Sequence, residues 1–123
     1  MKTIGEYYQE KVLSKKGLRE VELPQYNGES RIEKDLFGWK LYSGKNFIEC
    51  SSQEEARYLK VFLDSGLSEI KIPKDVEYLM SILPELERLK SRIDEILNSY
   101  LESIFDRKAR EQLKHEVYME VTK

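Results

Sequence analysis

Cys50 is the only cysteine among 123 residues, and it stands in "ECSSQEEARYL", residues 49–59. A thiol becomes a nucleophile when its pKa falls, as a helix N-terminus or a neighbouring base can bring about. The run places Cys50 at the end of a strand and two residues before a helix that opens at Ser52. A stabilised thiolate is therefore one reading, and a Cys-dependent enzyme its consequence. Two features oppose it. The sole imidazole, His115, lies far along the chain in a different element. Cys50 is also in phase with Ile48 on an apolar strand face, where a free Cys behaves as a small buried hydrophobe. The sequence favours that second reading.

His115 follows Glu111 by four residues, so both side chains share one helical face. A metal site needs three or four ligands, and this pair supplies two. The expectation is a solvated surface histidine, with no metal and no cofactor. Basic residues gather twice, at Lys11, Lys15, Lys16 and Arg19, and again at Arg107, Lys108, Arg110 and Lys114. Positions 107, 110 and 114 fall on one face of a helix and could meet phosphates. Glu111 and Glu116 lie among them, so an ordinary solvated helix is preferred and nucleic acid is the alternative partner. The six glycines are isolated, and neither G-x-x-x-x-G-K-[ST] nor G-x-G-x-x-G occurs. G-x-S-x-G, H-E-x-x-H and the EF-hand loop are also missing. Acidic residues abound without a pattern that marks a general acid–base pair.

The bulk composition narrows the class. One domain suits this length. An apolar content of 40%, with eight Tyr, four Phe and one Trp, is too high for a disordered chain. Charged residues reach 36%, well above the roughly 25% of typical domains. A Lys/Glu-rich, amide-poor surface is a thermophilic trait, though long exposed helices give the same composition. The net charge of −2 steers the protein to neither nucleic acid nor anionic lipid. A lone Cys forms no internal disulfide. The N-terminal stretch lacks the apolar core of a secretory signal, and no apolar run is long enough to span a bilayer. The expected location is the cytoplasm, away from membranes.

Residues 3–16 read as a short helix with Ile4, Tyr7 or Tyr8, and Val12 on one side, stopped by Gly17. "LREVELP" alternates as a half-buried strand ended by Pro24. Asn27-Gly28 is a turn signal. Arg31 to Tyr42 alternates through Phe37, Trp39 and Leu41, with Gly38 marking a bulge. Ser43-Gly44 turns the chain into "NFIEC", which predicts an antiparallel hairpin. Ser52 and Glu55 fit a capping box, S-x-x-E, and Ala56, Leu59, Phe62 and Leu63 then form a helical stripe. Gly66 stops that helix, and "LSEIKIP" is a strand with Ile70 and Ile72 inward. This order is ββαβ, and a right-handed crossover is expected if the flanking strands share a sheet.

Asp75 caps the next helix, and Pro84 predicts either a short helix over 76–83 followed by a long one from 84, or one kinked helix. Along this helical region, Ile82, Leu86, Leu89, Ile93, Ile96 and Tyr100 are spaced 4, 3, 4, 3, 4, a heptad seam of nearly three repeats. The stripe widens after Ile93 through Leu97, Leu101, Ile104 and Phe105. Asp106 offers a cap for a last helix over 107–121. The fold class is thus α+β, a small, mainly antiparallel sheet with a ββαβ unit, an N-terminal helix and a long C-terminal helical region. Residues 1–75 and 76–123 pack as one domain. The seam points to a non-catalytic interaction or assembly module that pairs with a partner helix or closes as a homodimer. The main alternative is an accessory domain of a nucleic-acid-processing system.

Overall fold

The computed structural model describes residues 3–101, and the side chains among them up to residue 97. The first described element is helix α1 (Ile4–Tyr8), which runs directly into a π-helical turn (Gln9–Leu13). Thr3 and Glu6 cap α1 reciprocally, the Glu6 N–H donating to Thr3 Oγ1 at 3.1 Å. This "TIGE" is the same S/T-x-x-E pattern as at Ser52. The π turn explains a spacing that an α-helix cannot satisfy. Ile4, Tyr7 and Val12 are all buried, yet Val12 follows Tyr7 by five residues. A turn closed by i→i+5 bonds brings residues five apart back to one face.

Among the described residues five strands follow, as two separate antiparallel sheets. Strands β1 (Leu18–Glu22) and β5 (Glu69–Pro73) form a two-stranded ladder with Val21 opposite Ile70. Strands β2 (Arg31–Asp35), β3 (Gly38–Ser43) and β4 (Asn46–Cys50) form a meander with Ile32, Leu41 and Ile48 in one row. Helix α2 (Gln53–Asp64) covers the inner face of the meander. Helix α3 (Val76–Leu101) packs against α2, α1 and β5.

The α+β class, the N-terminal helix and the long C-terminal helix stand as the sequence predicts, and the order ββαβ is present along the chain. The pairing differs from the one-sheet case. Strand β5 returns to β1 rather than to the meander, so no parallel crossover forms between β4 and β5. The stretch from Arg31 to Tyr42 is also two strands instead of one. A two-residue turn, Leu36-Phe37, folds β2 onto β3 with Asp35 opposite Gly38. Asp at the first position and Gly at the fourth suit such a turn. Gly38 has φ +122°, which a side chain would strain.

The core joins both halves, with Ile4, Leu41, Tyr58, Leu59, Phe62, Leu83 and Leu86 all buried. Tyrosine hydroxyls bind the elements through backbone bonds. Tyr7 donates to the Ile82 carbonyl at 3.1 Å and Tyr58 to the Lys71 carbonyl at 2.8 Å. Tyr8 accepts from the Lys71 N–H at 3.0 Å. Pro84 does not end α3, which continues as one helix. The proline lies on the exposed side, where water can serve the carbonyl that its missing N–H leaves open.

Candidate functional site

Three places among the described residues have the chemistry to act. The first is the start of α2. Ser52 caps the helix, its hydroxyl accepting the Glu55 N–H at 3.1 Å. Glu55 does not reach back to Ser52 as a capping box requires. Its carboxylate, only 4% exposed, takes the N–H and, at 2.7 Å, the hydroxyl of Ser51, and pairs with Arg19 of β1. One buried carboxylate thus ties β1 to the junction of β4 and α2. Nothing in the sequence marks Arg19 as its partner, because the pairing depends on where β1 lies.

Cys50 sits beside this cluster, 9% exposed. Burial pushes its thiol up to about 11, and the negative charge of Glu55 adds to the rise. The Leu41 N–H and the Arg19 guanidinium offset part of it. A nucleophilic cysteine needs the opposite shift. Cys50 closes the row Trp39–Cys50 on the inner face of the meander, in phase with Ile48 as its sequence pattern predicts. A groove of about 510 Å³ opens here between the two sheets. Cys50, Ile72 and Leu79 contribute buried apolar surface, and Glu49, Lys74 and Val76 also line it.

The second place is ionic. Between α2 and α3, Arg57 pairs with Glu87, and Lys90 lies 2.9 Å from Asp94 and 3.5 Å from Asp64. Burial pulls the Lys90 pKa down, but its bond to Asp94 and the charge of Asp64 more than reverse this, so the ammonium is held above its ordinary value. Asp64 also binds Lys60 and the Ser30 hydroxyl. These charges satisfy one another and lock α2 to α3. Among the described residues, no buried side-chain polar atom lacks a partner.

The third is the turn Leu36-Phe37, where the two side chains are 99% and 87% exposed. The turn is braced from below. Asp35 accepts the Phe37 N–H at 2.8 Å and pairs with Lys40 at 2.7 Å. The Lys40 bond holds the Asp35 carboxyl below its usual range. The Lys40 ammonium also approaches the Phe37 ring, 5.8 Å from its centroid. The sequence carried a signal for this turn in Asp35 and Gly38, which the alternation of Phe37, Trp39 and Leu41 obscured.

The seam residues divide. Ile82, Leu86, Leu89 and Ile93 are buried inside this chain's own core, packed with the other helices and strands. They are not a free face. Ile96, 47% exposed, is the one seam position left at the surface, and the side chain of Tyr100 lies outside the described residues. Arg107, Lys108, Arg110, Lys114 and His115 also lie outside them, as does the helix expected over 107–121. Among the described residues no three His, Cys, Asp or Glu side chains gather as a metal site, and no helix is long and apolar enough to cross a membrane. The chain matches no protein-family model, and no curated protein or solved structure shows significant similarity to it.

Proposed function

We propose that this protein is a non-catalytic interaction module that self-associates. The observation that carries this reading is where large apolar side chains meet water. Leu36 and Phe37 stand almost fully exposed on a braced turn, and Ile96 is half-exposed on the distal part of a 26-residue helix. Aromatic side chains are enriched at protein–protein interfaces, and Phe37 is one held in water by a braced turn.

The buried half of the seam has another role in this reading. Charged residues at Leu89 and Ile93 would unfold the domain instead of parting two folded copies, so they do not test association. Ile96→Glu does. Solution mass measured by sedimentation over a range of protein concentrations should rise toward a dimer for the natural chain. Weaker association in Ile96→Glu, with unchanged helicity, would place the contact on distal α3. A monomeric mass at every concentration would refute self-association.

A further inference from the structure

We infer that the outer edge of β4 pairs antiparallel with the same edge of a second copy, on a two-fold axis at Ile48, and joins two meanders into one six-stranded sheet. The inference rests on the self-association reading and names its contact. Among the described residues the two sheets end in four edges, and three are guarded. Charged side chains on an edge strand oppose pairing with another chain. They make up four of the five residues of β2 and three of the five of β1. On β5 the hydroxyls of Tyr8 and Tyr58 take the N–H and C=O of Lys71. The fourth edge, β4, reads "NFIEC", with one charge, no proline and Phe47 46% exposed. Among the described residues, no backbone bond reaches it from any element but β3.

The register follows from which backbone groups point outward. Ser43 and Asn46 close a two-residue hairpin, and the bonding alternates from there. Asn46, Ile48 and Cys50 therefore turn their N–H and C=O to β3, and Phe47 and Glu49 turn theirs to the open edge. Two such edges bond when Phe47 of one copy lies opposite Glu49 of the other. That register pairs all five residues of the strand, sets Ile48 against Ile48 on the axis, and opposes no like charges. A shift that matched Glu49 with Glu49 would oppose two carboxylates. The contact closes at two copies, because the joined sheet ends on both sides in the charged β2 edge. The exposed turn belongs to the same end. Trp39 is opposite Cys50, which lies opposite Asn46 of the second copy. The Leu36–Phe37 turn thus stands beside the second copy's Ser43–Asn46 hairpin, about 10 Å away at two strand spacings.

The test joins a blocked edge to a cross-link. Glu49→Pro removes an outward N–H that β3 does not use, a change that edge strands tolerate. In sedimentation it should raise the dimer dissociation constant at least ten-fold, with the circular dichroism of the natural chain. Ile48→Cys with Cys50→Ala leaves one thiol per chain, its Cα about 4.5 Å from its twin in this register, within disulfide range. Mild oxidation should then give a disulfide-linked dimer at concentrations where the natural chain dimerises. If the natural chain dimerises and Ile48→Cys does not cross-link, or a folded Glu49→Pro associates as tightly as the natural chain, the pairing is overturned. If only Ile96→Glu weakens the dimer, self-association stands and this contact falls. If the natural chain is monomeric throughout, both fall.

Discussion

The proximal half of α3 and the Leu36–Phe37 turn use the same kind of residue to opposite ends. Ile82, Leu86, Leu89 and Ile93 form a regular apolar seam, and the chain's own fold consumes it. Leu36 and Phe37 form no periodic pattern, yet they remain in water. Regular spacing therefore reports that a helix has an apolar face and leaves open which chain covers it. Here α2, α1 and β5 are close enough to do so. The turn is exposed for a local reason. A two-residue connection between paired strands has no layer above it, and the bonds of Asp35 hold it away from the core.

The widest separation between the two regions should appear in stability. Leu86→Ala leaves a cavity in a fully packed site and should cost about 2–5 kcal/mol in denaturant unfolding. Leu36→Ser with Phe37→Ser should change it by no more than about 0.5 kcal/mol. A loss from the turn variant that approached that of Leu86→Ala would erase the distinction drawn here.

Glu55 gives a second, intermediate effect. Glu55→Ala removes the acceptor for two Ser51 donors and for Arg19, and should cost about 1–3 kcal/mol. Arg19 is half-exposed and can regain water, so the cost falls mainly on Ser51. If Arg19→Ala proves as damaging as Glu55→Ala, the ion pair and not the Ser51 bonds holds this junction.

Cys50 supplies a pH-dependent test. An unfolded thiol ionises near 9.0, whereas the fold holds it neutral to about 11. The stabilisation it brings is intact below pH 9 and is lost as pH rises to 11, by at most about 3 kcal/mol. Cys50→Ala should flatten that part of the alkaline stability curve, measured by denaturant unfolding at each pH. In the native protein the thiol should react slowly with a disulfide reagent at pH 7 and rapidly once unfolded. Fast native labelling would restore the nucleophile reading.

Much of the fold is written locally. Ser52 and Asp75 start their helices as their residue types predict, Asp75 accepting the Glu77 N–H at 3.0 Å. The alternation of "LREVE" and "EIKIP" marks two strands. Their pairing with each other is not local, since 46 residues separate Glu22 from Glu69 and no side-chain pattern links them. The Arg19–Glu55 pair and the groove inherit that hidden information, because both depend on where the β1–β5 ladder lies. The π turn was invisible for a different reason. Ile4, Tyr8 and Val12 fit an ordinary four-residue spacing, so the stretch reads as a plain short helix, and only the backbone shows that Tyr7 and Val12 are the buried pair.

The most direct test joins stability and mass on one variant. Leu36→Ser with Phe37→Ser is unfolded by denaturant at low concentration and sedimented at high concentration, beside the natural chain. The expected result is equal unfolding curves, a dimeric natural chain and a monomeric variant. A variant that keeps the dimer, or one that loses its fold along with it, would contradict the claim that this turn is built for contact.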